Sequence, residues 1–289
     1  MPDADELRAD AAAGACSEGA PPSRFAEWPL PDPTPGAANP QRYDTTSPDV
    51  AIDTVTHLAW ERHVDGNTYR WSDARARCAC LALGGAGGWR LPTRMELVSL
   101  VDFTRHGPAI DATAFPGTPA EWFWTGSTLA DRPGAAWYVY FDTGFTKFMD
   151  GETTYRVRCV RDTAPAPQGE RYVVMGTDTV LDTRTHLFWQ RAVDAGLRSW
   201  ADAAAYCAAL PLAGGGWRLP GMKELQSLVD DARASPAIDP QAFPDTPAES
   251  FWTATPVSGT AGSAWRVSFA AGDAYDESAL FTYRARCVR

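Results

Sequence analysis

The chain carries one ordered set of motifs twice. Residues 53–60 (DTVTHLAW) recur as residues 182–189 (DTRTHLFW), 129 positions later. After one deletion in a glycine-rich loop the offset is 128, and the motifs WRLP, FP, FW and RCVR recur in the same order. A period near 130 residues is far longer than the roughly 20–50 residues of solenoid repeats. The pattern therefore indicates a duplicated domain.

The duplication divides the 289 residues into four segments. We predict two domains, residues 42–161 and 171–289, joined by a short proline-containing linker at residues 162–170. Residues 1–41 are rich in Ala and Pro and hold 7 acidic residues against 2 basic ones. This composition predicts a mostly irregular tail. Each predicted domain is long enough to bury a hydrophobic core of its own.

Charge and hydropathy exclude two classes of partner. The formal net charge is -10, and the sequence contains no basic run that could serve as a nucleic-acid footprint. No apolar run approaches the roughly 20 residues that a membrane helix needs. We therefore expect neither nucleic-acid binding nor membrane insertion.

Local patterns predict an α+β fold in which each repeat packs two helices on small antiparallel sheets. Residues 50–52 and 58–60 flank a polar turn and predict a β-hairpin. Apolar positions at helical spacing predict a helix over residues 71–83, and Thr93 with Glu96 forms a capping box that starts a second helix. Short aromatic runs predict strands at residues 122–125, 137–141, 145–149 and 155–161.

The six cysteines predict disulfides. They lack the CxxC spacing of structural zinc sites, and their even number suits an oxidising compartment. Residues 1–6 lack the apolar core of a signal peptide. Either a targeting segment has been removed, which we favour, or the cysteines are reduced and the protein is cytosolic. The first helix and the last strand of each repeat carry one cysteine each, and two cysteines remain. The predicted pairs are Cys78–Cys159, Cys207–Cys287 and Cys16–Cys80.

These motifs resemble known families. Residues 71–74 (WSDA), Cys78 and residues 83–85 (LGG) are similar to the opening of C-type-lectin-like domains, and residues 123–126 (FWTG) to their central strand. Residues 89–93 (WRLPT) resemble a motif of sulfatase-modifying-factor-like proteins, which share that fold. The whole set of blocks resembles the Lcl C-terminal domain family, named after the C-terminal module of a bacterial collagen-like adhesin.

The resemblance implies two tandem C-type-lectin-like domains in a bacterial secreted or cell-surface protein. It also implies a non-enzymatic module for recognition or adhesion, with a glycan or a surface protein as ligand. The alternatives are a protein–protein interaction module or a structural envelope protein, and, less favoured, an enzyme of the formylglycine-generating kind. No repeated set of nucleophile, base and orienting acid supports an enzyme.

Loops between the late strands are the expected ligand-binding part, because loops on a rigid scaffold commonly carry recognition. Ten of the 12 tryptophans pair between repeats, but Trp122 corresponds to Ser250. Trp122 is therefore expected to stack on a sugar ring or to fill a contact between the domains. Asp142, Asp150 and Glu152 are candidate calcium ligands, as are Asp273, Asp276 and Glu277 in the second repeat. The full set of candidate binding residues is Trp122, Asp131, Arg132, Asp142, Asp150, Glu152, Asp273, Asp276 and Glu277.

The WRLP motif residues are expected to be structural. Arg90 and Arg218 would form cation–π contacts or buried ion pairs, with Asp102 or Asp230 as candidate partners. Glu96 is expected to cap its helix. His57 and His186 occupy equivalent hairpin positions and are expected to serve the turn rather than catalysis. The structural motif set is Trp89, Arg90, Glu96, Trp217, Arg218 and Glu224.

Overall fold

The computed structural model describes Cys16, residues 26–165 and residues 167–289. The first repeat forms β1 (Tyr43–Asp44), β2 (Val50–Asp53), β3 (Leu58–Glu61), α1 (Trp71–Ala79), α2 (Arg94–Ser99), β4 (Trp122–Thr128), β5 (Ala135–Tyr140), β6 (Phe145–Asp150) and β7 (Val160–Asp162). The second forms β8 (Tyr172–Met175), β9 (Thr179–Asp182), β10 (Leu187–Gln190), α3 (Trp200–Ala208), α4 (Met222–Ser227), β11 (Ser250–Pro256), β12 (Ser263–Ser268) and β13 (Ala274–Ser278). Two helices and small antiparallel sheets in each repeat are the α+β architecture that the sequence predicts.

A small antiparallel sheet opens each repeat. The strand orders are β1-β2-β3-β7 and β10-β9-β8, and β2 pairs with β3 as the predicted hairpin. His57 and His186 have φ angles of 58° and 62° in the hairpin turns. Asp53 accepts backbone N–H bonds in the first turn, and Asp182 does so in the second. The histidines therefore serve the turn, as predicted.

Several boundaries differ from the predicted ones by a few residues, and two elements are clearly shorter than predicted. The helix α1 ends at Ala79 rather than Leu83, because the Leu81 N–H bonds the Cys78 carbonyl in a tighter turn. The predicted last strand at residues 155–161 is a strand only from Val160. The residues before it make single bridges instead, Tyr155 to Tyr69 and Arg156 to Phe123.

The late strands of both repeats form one sheet. Its order is β11-β12-β13-β6-β5-β4, and the join lies where Ala274 of β13 pairs with Thr146 of β6. The helices α2 and α4 pack against each other near this join. The repeats therefore share a sheet and a helix contact, which the repeat pattern alone does not reveal.

An ion pair is buried where the two repeats meet. The Arg94 guanidinium is fully buried, lies 2.7 Å from the Asp231 carboxylate, and stacks 4.3 Å from the Trp137 ring centre. Its Nη1 also donates to the Gly272 carbonyl. Burial raises the pKa of Asp231, which the Arg94 charge opposes.

The corresponding positions on the other side of the join are apolar. At the repeat offset, Met222 corresponds to Arg94 and Phe103 to Asp231. Both side chains are buried, and the Phe103 ring meets the Trp265 ring edge to face at 5.5 Å. The contact between the repeats is thus symmetric in position but polar on one side and apolar on the other.

Disulfides close both repeats. Cys78 bonds to Cys159 and Cys207 bonds to Cys287, so each first helix is tied to the end of its repeat. Cys16 bonds to Cys80. All three predicted pairs are confirmed.

One arginine of each RCVR motif is a core residue. Arg158 is fully buried, and its guanidinium donates to the carbonyls of Glu61 and Arg62 and to the Thr118 hydroxyl. Arg286 makes the equivalent bonds in the second repeat. Burial lowers the pKa of Arg158 to about 10. The first arginine of the motif therefore bonds the last segment of each repeat to the sheet that contains its hairpin.

The tail is irregular but, where the structure describes it, not detached. Residues 26–41 contain no strand or helix, as predicted. Ala26, Trp28 and Leu30 are nonetheless buried in the core, and Glu27 pairs with Arg184 at 2.9 Å. The other predicted tail residues, apart from Cys16, lie outside the described part of the chain. The composition did not indicate this burial, because the few apolar residues that anchor the tail are diluted among Pro, Ala and acids.

Lys223 holds the tail to both repeats. Its Nζ donates to the carbonyls of Pro31 at 2.9 Å and Ser99 at 2.8 Å, and it lies 3.4 Å from the Gln41 amide oxygen. Burial lowers the pKa of Lys223 to about 8. At the repeat offset, the first repeat has Met95, which is buried as well.

The Lys223→Met variant is expected to remove a pH dependence of stability. The folded pKa lies below the unfolded value, so the unfolded chain binds more protons between pH 8 and 10.5. Unfolding free energy should therefore rise with pH in that window for the unmodified chain, and its difference from the variant should change by about 2 kcal/mol between pH 7.5 and 10. Urea denaturation at both pH values measures this. If the free energies of unfolding of the unmodified chain and the variant changed equally with pH, Lys223 would not be desolvated.

Candidate functional site

One face of the six-stranded sheet is rich in aromatic rings. Side chains alternate along a strand, so the pairs Trp122↔Tyr140 and Tyr138↔Lys147 place these residues on the same side of β4, β5 and β6. Phe145, which pairs with Tyr140, joins them. The opposite side of the sheet carries the core against α2 and α4. Tyr138 on this side is buried in a second hydrophobic cluster with Trp124. We call this side of the sheet the aromatic face, made of Trp122, Tyr140, Phe145, Lys147, Tyr155, Arg266, Tyr275 and Tyr283 around the buried Tyr138.

Trp122 is the most exposed ring of the aromatic face. Its side chain is 42% exposed, and it stacks on Tyr140 with ring centres 5.0 Å apart and an angle of 14° between the planes. Tyr155 lies 5.9 Å away on a tilted plane. The strand β4 is the outer edge of the sheet, three strands from the join. The alternative that Trp122 fills the contact between the repeats is therefore wrong.

Rings and cations continue across the join. The Phe145 ring meets Tyr275 of β13 at 5.0 Å, and the Lys147 Nζ lies 5.8 Å from the Tyr275 ring centre. The Arg266 guanidinium lies 5.1 Å from Tyr275 and 4.9 Å from Tyr283. Residues of both repeats thus contribute to a single surface.

The electrostatics of this face keep its phenols protonated. Burial raises the pKa of Tyr138 to about 12. Burial, together with the Asp273 carboxylate, raises the pKa of Tyr275 to about 12. Burial likewise raises the pKa of Asp273. The hydroxyls of Tyr138 and Tyr275 therefore stay neutral well above physiological pH, beside the Lys147 and Arg266 side chains.

The predicted binding residues are scattered relative to this face. Asp273 and Glu277 lie next to it, and Glu277 is 3.8 Å from the Arg266 guanidinium. Asp276 is exposed one residue away along β13, on the opposite side of the strand. Elsewhere, Asp131 is exposed, Arg132 covers the Phe148 ring at 4.7 Å, and Glu152 pairs with Arg70 at 3.3 Å.

The structure does not assemble the predicted calcium set. Asp142 follows β5 in the turn to β6, whereas Asp150 ends β6, so a whole strand separates them. Asp150 is instead engaged by the Glu152 backbone N–H at 2.9 Å. In the described ranges, no group of three or more His, Cys, Asp or Glu side chains is placed to hold a metal ion.

Sequence reasoning missed most of the aromatic face. Tyr138 and Tyr140 lie on a strand that was predicted at residues 137–141, and their spacing of two was the available signal. Arg266 and Tyr275 belong to the other repeat, and only the join between β6 and β13 brings them alongside. No pattern within either repeat indicates that neighbourhood.

The WRLP arginines pair with other carboxylates than those predicted. The Arg90 guanidinium binds Glu96 through two bonds of 2.7 Å and also binds Asp162, 2.9 Å away. Asp102 pairs with Arg105 instead, and Asp230 pairs with Arg233. Glu96, six residues after Arg90, and Asp162, at the end of the repeat, occupy the guanidinium in place of the predicted partners.

The caps and the tryptophans of this motif are structural. Glu96 accepts the Thr93 N–H and completes the predicted capping box. Glu224 accepts the Gly221 N–H in the same way, without a side chain to complete the second half. The Trp89 and Trp217 indoles donate to the carbonyls of Ala86 and Leu212. Their cation–π partners are Arg161 and Arg289 rather than the arginines beside them.

A comparison with protein families decides the identity of the two repeats. The model of the Lcl C-terminal domain matches residues 49–161 and again residues 178–289. The chain belongs to the Lcl C-terminal domain family. No curated protein matches it. Among the described residues, no helix of this Lcl C-terminal domain protein is long and apolar enough to cross a membrane.

The two Lcl C-terminal domains differ at the aromatic face. At the positions of Trp122, Tyr138 and Tyr140, the second domain has Ser250, Arg266 and Ser268. The WRLP arginines, the RCVR motifs and the disulfides are present in both. The rings of Trp122, Tyr138 and Tyr140 are therefore not a requirement of the scaffold, although the second domain contributes Tyr275 and Tyr283 to the same face.

Proposed function

We propose that this chain is a non-enzymatic recognition module of the C-type-lectin-like kind, extracellular or in the cell envelope, which binds a glycan along the aromatic face. The observation that carries the proposal is Trp122, a 42% exposed indole with Tyr140 stacked behind it. Core packing does not explain why the Trp122 ring is exposed to solvent. The second domain has Ser250 at the same position, so the scaffold does not need a ring there.

The chemistry of the face suits a sugar chain. The C–H side of a pyranose ring stacks on an aromatic plane, and phenols and cations bind its hydroxyl or acidic groups. From Trp122 on β4 to Tyr275 on β13 there are three strand spacings, or roughly 14 Å. That length exceeds one sugar ring, so an oligosaccharide or polysaccharide is the ligand class.

Binding by this route is independent of calcium. The contacts come from rings, from Lys147 and Arg266, and from neutral phenols. The thiol chemistry of a formylglycine-generating enzyme has no support, because all six cysteines are paired. A protein ligand is the alternative that the test below separates.

The Trp122→Ser variant is expected to lose at least tenfold in glycan affinity, which corresponds to about 1.4 kcal/mol. A glycan array in calcium and again in EDTA selects the ligand, and titration calorimetry measures its affinity. The substitution copies Ser250 of the second domain, so the fold should tolerate it.

The matched control is Val174→Ser, an exposed apolar residue with 43% exposure on another sheet. Val174→Ser should bind the glycan with the affinity of the unmodified chain. Both variants should have the melting temperature of the unmodified chain. An array without hits in either buffer, or a Trp122→Ser variant with unchanged affinity, would refute glycan binding at this face and favour a protein ligand.

A further inference from the structure

The strand β8 is an exposed outer edge of the small sheet that opens the second repeat. The strand order β10-β9-β8 leaves one side of β8 without a neighbouring strand. Val173, Val174 and Met175 are 37%, 43% and 47% exposed. Side chains alternate along a strand, so three consecutive exposed residues mean that both faces of β8 are open to solvent. The edge is therefore apolar and accessible.

The backbone of β8 has hydrogen-bonding groups that point away from the sheet. The Thr183 N–H donates to the Arg171 carbonyl, so Arg171 faces β9. In an antiparallel pair, residues that face the partner strand alternate with residues that face away from it. Val173 therefore faces β9 as well, and the N–H and C=O groups of Tyr172 and Val174 point outward. Among the described residues, no hydrogen bond from another segment reaches these four groups.

The other outer strands of three or more residues are bonded along their outward sides. In each case a neighbouring segment of the chain forms backbone hydrogen bonds with the strand. These bonds join Trp124 of β4 to Arg156, Trp252 of β11 to Arg284, Phe188 of β10 to Arg289, and Val160 of β7 to Arg90. In the part of the chain that the structure describes, β8 is thus the one open sheet edge longer than two residues.

The equivalent edge of the first repeat is protected by its sequence. At the repeat offset, residues 44–46 (DTT) correspond to residues 173–175 (VVM). The strand β1 ends at Asp44, whose carboxylate accepts both the N–H and the hydroxyl of Thr46. Charged side chains and very short edge strands are devices that keep sheet edges from pairing with other chains. The second repeat lacks both devices at this edge, so the scaffold does not require its apolar residues.

We propose that β8 is the pairing strand of a homodimer, in which β8 of a second copy adds antiparallel to this edge across a two-fold axis. With Val173 on the axis, Tyr172 of each copy lies opposite Val174 of the other, and the outward groups of both copies form four hydrogen bonds. A second copy fits because the edge is complementary to itself and β8 contains no charged residue.

The expected dimer is closed and weak. One open edge on each chain, paired across a two-fold axis, leaves no edge for a third copy. A contact between two strands of four residues is smaller than a standard interface of about 1,600 Å², so we expect a dissociation constant of roughly 10–100 µM. The inference does not depend on glycan binding.

Sedimentation equilibrium from about 5 to about 500 µM tests the proposal with the full chain, and the average mass should rise from one chain towards two. Val173→Asp copies Asp44 of the first repeat and places two carboxylates at the axis, so dimerisation should weaken at least tenfold. Val174→Pro removes an outward N–H and no bond to β9, and should weaken dimerisation similarly while the chain stays folded. The matched control is Leu280→Asp at an 89% exposed apolar residue outside this edge, which should dimerise normally.

A cross-link locates the contact. In the proposed register, Val173 lies opposite itself in a non-hydrogen-bonded pair with Cα atoms about 4.5 Å apart, which a disulfide can span. Oxidation of Val173→Cys should therefore link two chains on a denaturing, non-reducing gel, whereas Leu280→Cys should remain a single chain.

A chain that stays monomeric at about 500 µM would overturn the proposal and leave the β8 edge to an extended segment of another protein. A dimer that Val173→Asp and Val174→Pro leave unchanged would overturn it as well. Trp122→Ser should dimerise normally, so a failure of the dimer and a failure of the glycan site are distinguishable.

Discussion

Replacing Asp231 with alanine is expected to lower the free energy of unfolding by about 3–5 kcal/mol, because it leaves the Arg94 charge buried and without its carboxylate. Arg94 is fully buried between the repeats, and Asp231 is 2.7 Å from it. Chemical denaturation measures the loss. Glu152→Ala, which removes one partner of the exposed pair with Arg70, is the control and should cost less than about 1 kcal/mol.

The double variant Arg94→Met, Asp231→Phe is expected to recover most of that loss. It reproduces on the polar side the Met222 and Phe103 side chains that the molecule already uses on the other side of the join. Buried ion pairs replaced by packed apolar residues are often neutral or stabilising. A double-mutant cycle with both single variants gives the coupling energy. A double variant as unstable as Asp231→Ala would show that the two sides of the join are not interchangeable.

Removing the second-repeat disulfide, by Cys207→Ala with Cys287→Ala, should destabilise the chain by about 4–5 kcal/mol in the chain-entropy model. The bond closes a loop with a sequence separation of 80 residues, almost the same as the 81 of Cys78–Cys159. Urea denaturation of the oxidised proteins measures the loss, and the matched variant Cys78→Ala, Cys159→Ala should lose a similar amount.

Alkylation of the denatured, non-reduced chain provides an independent check and should label none of the six cysteines. Extensive labelling would contradict the three disulfides. A loss below about 1 kcal/mol in the double alanine variant would instead show that the bond does little to restrict the unfolded chain.

Much of each repeat could be predicted because local rules and the duplication agree. Thr93 and Glu96 form the predicted capping box, and the cysteine pairs follow from the repeat. The second partner of Arg90 could not be predicted, because Asp162 is 72 residues away and several acids compete for any arginine. Its choice depends on how the end of the repeat folds back onto the WRLP motif.

The strand pairing that joins the two repeats could not be predicted from the sequence either. The pairing of Ala274 with Thr146 uses backbone groups at two strand edges, and these groups are the same for nearly every residue type. Because this pairing could not be predicted, the residues that the second repeat contributes to the aromatic face could not be predicted either. Trp122 could be found because it breaks the repeat, whereas Tyr275 and Arg266 reach the aromatic face only through that join.

The join between β6 and β13 also bears on how such a molecule arises. A chain with a single repeat would leave that strand edge unpaired, and two copies would meet there as a homodimer whose formation depends on dilution. Tethering the copies in one chain replaces this dependence with a local concentration in the millimolar range for a short linker. Assembly no longer requires identical partners, so one half can have Ser250 where the other has Trp122, and Phe103 where the other has Asp231, without losing the shared sheet.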